Sequence, residues 1–176
     1  PALLVWHIAN EYGNYCYCEK CAEEFRKWLK ERYQSIEEVN RRWNMSFWGH
    51  TVYNWEEIVP PSYLNEMRLV HDGNETREIT CFQGISLDYN RFMSDSILAC
   101  YQNEYHTLKS ITPDIPITTN LMGTFKPLDY FRWAGHMDII SWDNYPSMHD
   151  PASCVAMRHD LMRGLKGGQP FMLIEQ

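Results

Sequence analysis

Apolar and polar positions along this 176-residue chain divide it into two kinds of stretch. Four short runs are almost continuously apolar: residues 3–9, 115–121, 138–142 and 171–174. Runs of that length predict strands of a parallel sheet buried on both faces. Each is followed at once by polar or turn-forming residues: Asn10-Glu11, Met122-Gly123, Asp143-Asn144-Tyr145-Pro146 and Glu175-Gln176. Between them the apolar residues change to helical spacing. Residues 22–33 place Phe25, Trp28 and Leu29 on one face, and Ser35 caps a second helix that runs to about Trp43. A long helix is predicted over residues 86–110, with Pro113 and Pro116 beyond it. A short helix follows over 127–135 and closes on Gly135, and another over 153–165 stops before Gly167-Gly168.

The resulting order of strand, long connection, helix, strand, helix, strand, helix, strand is βα repetition, so the chain is α/β. Four strands cannot close a barrel, since an eight-stranded barrel takes about 250 residues. The pattern leaves an open doubly wound sheet or part of a barrel. No Gly-rich phosphate loop follows any strand, which weakens a nucleotide-binding reading. Polar groups past the C-terminal ends of parallel strands are where an α/β barrel builds its active site. The stretch from Glu11 to about Gly84 is far longer than an ordinary βα connection and predicts an insertion.

Two of the strand-end groups carry chemistry. Glu11 follows the first strand and Glu175 the fourth. Parallel strands of one barrel aim both into the same mouth. Glycoside cleavage needs one carboxylic acid to protonate the leaving oxygen and a second carboxylate to attack the anomeric carbon or activate water. Either Glu alone could be a surface ion-pair residue; the two together point to catalysis. The 7 Trp, 11 Tyr and 7 Phe exclude a disordered chain and offer flat rings for sugar faces as well as for a core. A net charge of -7, with no Lys/Arg cluster, argues against nucleic acid. No apolar run approaches the roughly 20 residues of a membrane span. Both ends of the sequence are apolar and abrupt, which predicts a chain cut from a longer one whose start would hide any signal peptide.

Of six Cys, three form Cys16-Tyr-Cys18-Glu-Lys-Cys21. The spacing is too tight for three separate disulfides and fits a metal clamp; buried free thiols are the alternative. His7 or a scattered Cys could complete a tetrahedral set, but the spacing does not choose between them.

Trp6-His-Ile-Ala-Asn10-Glu11-Tyr12-Gly13 resembles the acid/base strand of the large clan of (β/α)8 retaining glycosidases. More narrowly, the chain resembles glycoside hydrolase family 42, the bacterial β-galactosidases, almost end to end. The matching residues include the cysteine clamp, Phe25-Arg26-x-Trp28-Leu29, Asn40-x-x-Trp43, Phe47-Trp48, Thr119-Asn120-Leu121-Met122-Gly123, Trp142-Asp143-Asn144-Tyr145-Pro146 and Met172-Leu173-Ile174-Glu175-Gln176.

The resemblance implies part of a (β/α)8 TIM barrel, about strands four to seven, as one partial catalytic domain over 1–176. Residues 12–84 would be a zinc-clamp insertion. It implies Glu11 as general acid/base and Glu175 as nucleophile in double-displacement cleavage of terminal β-D-galactosides. Asn10 would bind the sugar 2-hydroxyl, Tyr145 would hydrogen-bond the nucleophile, and Trp48 would wall the sugar subsite. Cys16, Cys18 and Cys21 would hold a structural Zn2+ with a fourth Cys upstream of this segment, pinning the insertion near Glu11. Family members often form trimers, and a cytoplasmic bacterial enzyme is the expected setting. The segment alone is expected to be inactive. The rivals are another retaining barrel glycosidase, such as a β-mannanase or β-glucosidase, and a non-catalytic zinc-stabilised binding or assembly domain.

Overall fold

The computed structural model describes residues 3–61, 67–72, 75–80 and 83–176, and of Trp48 and residues 67–72 and 75–80 the backbone alone. Cys81 and the side chain of Trp48 lie outside the described residues. The elements are β1 (Trp6–His7), α1 (Glu19–Tyr33), α2 (Ile36–Trp43), 3-10 turns at Phe47–Gly49 and Trp55–Glu57, β2 (Met67–Asp72), β3 (Glu75–Thr80), α3 (Gln83–Ile111), β4 (Ile117–Thr118), β5 (Asn120–Met122), α4 (Tyr130–Ala134), β6 (Ser141–Asp143), α5 (Ala152–Gly164) and β7 (Met172–Glu175). They form two compact units, one of Pro1–Asn14 with Ser94–Gln176, the other of Tyr15–Met93.

The first unit holds the parallel strands. β1 pairs with β4, and β5, β6 and β7 pair in that order. Every predicted strand is present, but the regular ladders are shorter than the apolar runs. Run 115–121 is continuous in sequence yet breaks at Thr119, because its first part pairs with β1 and its second with β6. Run 138–142 begins its ladder only at Ser141. Before that, Asp138 replaces strand pairing with its own bonds: its N–H donates to Ile117 O (3.1 Å), and its Oδ2 accepts from Ile117 N–H (2.8 Å).

Burial explains why the two middle runs are apolar. Ile117, Leu121, Ile140 and Trp142 from the strands pack with Tyr101 of α3, Trp133 of α4 and Met162 of α5, all almost wholly shielded from solvent. Tyr101, Trp133 and Tyr12 form a ring cluster with centroids 5.5–6.0 Å apart. Burying such rings contributes most of the core's hydrophobic stabilisation.

In the second unit, Phe25 and Leu29 of α1 and Val39 of α2 are fully buried, with Trp43 nearly so. Ser35 caps α2 as expected, its Oγ accepting from Glu38 N–H at 3.2 Å. Asp88 of α3 is buried and accepts from Tyr33 OH (2.6 Å), Trp43 Nε1 (2.8 Å) and Arg91 Nη1 (3.0 Å). The antiparallel hairpin β2–β3, in register from Met67↔Thr80 to Asp72↔Glu75, was not predicted. The sequence carries a signal for it: the turn-forming pair Gly-Asn stands at 73–74 between runs containing β-formers.

Asp138 ties α3 to the strand layer, since its carboxylate also takes Lys109 Nζ (2.8 Å) and Tyr105 OH (2.8 Å). Burial pushes the Asp138 carboxyl upward, but the bonds from Lys109, Tyr105 and Ile117 outweigh it and leave it below its ordinary value. Its contribution to stability is therefore present above the ordinary Asp pKa and is lost as pH falls through the lower folded value. Asp138→Ala is expected to cost about 1–3 kcal/mol at neutral pH, by stranding the Ile117 N–H and the Lys109 ammonium. Urea unfolding should show this cost at pH 7 and a smaller one once the wild-type carboxyl is protonated.

Candidate active site

The strand ends of the first unit converge on three carboxylates. Glu11, Asp143 and Glu175 each bring an oxygen within 4.8 Å of the others. Glu11 and Glu175 were expected together; Asp143, which ends β6, was not singled out.

Local backbone conformation sets each position. Ala9 and Glu11 on either side of Asn10 have φ of 53° and 50°, the left-handed region that non-glycine residues avoid. The chain thus leaves β1 through a strained turn, and strain of this kind gathers at sites that surrounding contacts hold firm. The β6–β7 register shifts between Trp142 and Asp143: Trp142 pairs with Leu173, but Asp143 pairs with Glu175. The skipped residue re-aims the end of β7, as a bulge does, and sets the charged Glu175 opposite Asp143. Asn144 N–H then holds Glu175 O at 3.0 Å.

Glu175 is gripped from two sides. Tyr145 OH donates to its Oε2 at 2.6 Å, and Asn120 Nδ2 donates to its Oε1 at 3.0 Å. The bond to Glu175 pushes the Tyr145 phenol up to about 12, with burial and the nearby carboxylates adding to it. Asn120 also reaches Asp143 Oδ2 (2.8 Å) and Asn10 Oδ1 (3.1 Å), and its Oδ1 accepts from Glu11 N–H (2.9 Å) and faces His7 Nε2 (3.0 Å). The expected residues Asn10, Glu11, Tyr145 and Glu175 therefore share one hydrogen-bonded neighbourhood. Asn120 and Asp143 are the members missed from the sequence. A polar run Thr118-Thr119-Asn120 inside a buried strand was the available clue, since a buried side-chain amide needs partners.

A cleft of about 300 Å³ opens here, lined by Glu11, Met122, Gly123, Thr124, Asp143, Asn144, Tyr145 and Arg158. A larger one, about 690 Å³, lies in the second unit. Its carboxylates are committed elsewhere: Asp88 to the three donors above, and Glu38 to Arg41 and Arg42. Of these two clefts, the smaller is the one lined by members of the carboxylate trio, Glu11 and Asp143.

Cys16, Cys18 and Cys21, in the second unit, bring their sulfurs within 4.8 Å of one another, with Cys18 Sγ and Cys21 Sγ 3.7 Å apart. Two thiolates on one tetrahedral zinc, at about 2.3 Å per bond, sit about 3.8 Å apart, so the trio could bind a metal and is compatible with zinc. The Cys21 N–H, near the start of α1, and the neighbouring thiols pull the Cys18 thiol down to about 7. That favours the thiolate a metal requires. Burial instead pushes the Cys21 thiol upward.

Burial pushes Asp143 up to about 6; the Glu175 charge adds to this, Asn120 opposes it, and Glu11 contributes further. A carboxyl whose folded pKa exceeds its unfolded value favours the folded state at low pH and loses that contribution as pH rises through the folded pKa. The chain should lose stability between about pH 4 and about pH 6 through this group. Thermal melts of Asp143→Asn over that range are expected to lack this loss; parallel wild-type and variant curves would refute it.

Among the described residues, no helix is long and apolar enough to cross a membrane. The family model described as beta-galactosidase, glycoside hydrolase 42, matches residues 1–176. Beta-galactosidase BgaP of Planococcus sp. (strain L4) is 57% identical over 176 residues, covering 100% of this chain and 25% of that protein. Beta-galactosidase GanA of Bacillus subtilis (strain 168) is 42% identical over 189 residues, covering 99% and 26%. The crystal structure of the beta-galactosidase from Bacillus circulans sp. alkalophilus superimposes with a TM-score of 0.91 at 59% identity, covering 100% of this chain and 25% of that one. The chain thus spans about a quarter of the length of the relatives it matches. A match over all 176 residues, by sequence and by shape, places the chain in the beta-galactosidase family, glycoside hydrolase 42.

Proposed function

We propose that a protein of the relatives' full length containing this chain is a retaining β-galactosidase, with Glu11 as acid/base and Glu175 as nucleophile. The observation that carries this reading is the approach of the two strand-end carboxylates within 4.8 Å. Retaining glycosidases hold the pair about 5–5.5 Å apart, whereas inverting ones leave about 6.5–9.5 Å for a water. In the first step a Glu175 oxygen bonds to the anomeric carbon while the glycosidic C–O bond breaks and the Glu11 proton passes to the leaving oxygen. In the second, Glu11 takes a proton from water, the water oxygen bonds to the anomeric carbon, and Glu175 leaves. Tyr145 and Asn120 hold the nucleophile in place by donating to its two oxygens. Asn10, beside Glu11, binds the sugar 2-hydroxyl. The substrate is a terminal β-D-galactoside, and the names of the relatives support that choice over other sugars.

The chain supplies about strands four to seven of the barrel as a single partial catalytic domain, with residues 12–84 as its insertion. Met172, Leu173 and Ile174 of β7 are 36–39% exposed, although their composition is that of a buried strand. Such a surface fits a sheet that continues beyond this segment, so the segment alone is inactive. The full-length protein is a cytoplasmic homotrimer in this reading. Cys16, Cys18 and Cys21 hold a structural Zn2+ together with one ligand from outside the chain.

Two measurements test these assignments. In the full-length protein, Glu175→Ala should lower turnover of a chromogenic β-galactoside by at least about 10⁴-fold, a loss typical of removing a catalytic nucleophile; normal turnover would sink the pair. Elemental analysis should find one zinc per chain and a loss of metal and thermal stability in Cys18→Ser. Metal-free wild type that melts at the same temperature would dismiss the clamp.

A further inference from the structure

Resting on the catalytic pair just proposed, we infer that Asn120 of β5 is the positioning residue that fixes Glu11 and Glu175 relative to each other. One planar amide spans the two. Its Oδ1 takes the Glu11 main-chain N–H at 2.9 Å, and its Nδ2 gives to Glu175 Oε1 at 3.0 Å. The orientation of the amide is dictated by its partners. A main-chain N–H can only donate, so the atom 2.9 Å from it is the oxygen; the nitrogen then faces Glu175 and Asp143, whose oxygens accept. The same logic puts the proton of His7 on Nε2, since Asn120 Oδ1 opposite it can only accept.

Asn120 is 1% exposed, so its amide is locked by packing as well as by bonds. It stands where the pairing of its segment passes from β1 to β6, within reach of the ends of β1, β6 and β7. Its grip on Glu11 falls on a residue with φ of 50°, so it supplies part of what holds that strained turn.

The donor inventory adds a second constraint. Nδ2 carries two hydrogens and faces three acceptors: Asn10 Oδ1 at 3.1 Å, Asp143 Oδ2 at 2.8 Å and Glu175 Oε1 at 3.0 Å. Two hydrogens serve two acceptors fully. Asn120 therefore divides its hydrogens among Asn10, Asp143 and the nucleophile, so that the three acceptors are held around one amide. The charged and titratable groups facing this amide are His7 from β1, Glu11 beyond it, Asp143 from β6 and Glu175 from β7.

The test uses the full-length protein with Asn120→Asp, Asn120→Ala and, as a control for the pair itself, Glu175→Ala. Asn120→Asp keeps the shape and the acceptor for Glu11 but removes the donor and adds a negative charge. A carboxylate that loses a donor and gains a like charge holds its proton to higher pH. The acid limb of the kcat/KM profile on a chromogenic β-galactoside should therefore move upward, further in Asn120→Asp than in Asn120→Ala. kcat should fall about 10²-fold while KM changes little, as expected for a displaced reacting group. Circular dichroism and thermal melts establish that the variants are folded. A folded Asn120→Asp with wild-type kcat and an unmoved acid limb overturns the proposal. So does loss of fold in both variants, which would assign Asn120 to the architecture alone. Full activity in Glu175→Ala would instead overturn the catalytic pair, so the two failures are distinguishable.

Discussion

Parallel pairing, with one register shift at its end, is the constraint on which the carboxylate cluster depends. β5, β6 and β7 run in one direction, so their last residues share one rim. Side chains alternate in a strand with a period of two, so a slip of one residue exchanges its two faces. The shift at Trp142/Asp143 makes this exchange once, after the buried Trp142 and before the acidic residues. Upstream of it β5 and β6 bury Leu121 and Trp142; beyond it Asp143 and Glu175 lie side by side. Three carboxylates within 4.8 Å then create their own electrostatic problem. It is met by donors from Tyr145 and Asn120, and below about pH 6 also by a proton on Asp143, whose pKa burial and the neighbouring carboxylates raise.

The sequence made the parts of this site that stand at strand ends legible. Asn10, Glu11, Tyr145 and Glu175 each follow an apolar run, and that pattern needs no knowledge of distances. The helices were legible for a similar reason: α1, α2 and α5 fall within a few residues of their predicted bounds, because amphipathic spacing and caps such as Ser35 are local. What was not legible depends on pairing between distant residues. Asn120 sits inside a strand, where composition offers no clue to which partners surround it. The short ladders arise because apolar runs report burial, whereas ladders require a neighbour in register. The hairpin β2–β3 lies inside the long stretch whose length alone predicts an insertion.

The cysteine trio illustrates the opposite case, in which three residues close in sequence carry nearly all the information. Cys16, Cys18 and Cys21 span one turn into α1, so their sulfurs meet without help from the rest of the chain. Tyr89, whose hydroxyl donates to Cys16 O, and Phe25 pack behind them. The separation that suits a tetrahedral ion is therefore set by a short peptide and braced by a small aromatic core.

The left-handed backbone at Glu11 has a bearing on how this protein can change. Glycine adopts that conformation without penalty, so the fold alone would favour glycine there over any carboxylate. On the acid/base role proposed above, Glu11 occupies a position where it is conformationally disfavoured, a trade of stability against activity. Selection on solubility or melting temperature alone would tend to remove this side chain early. A thermostabilised descendant obtained that way could keep its shape while losing its chemistry.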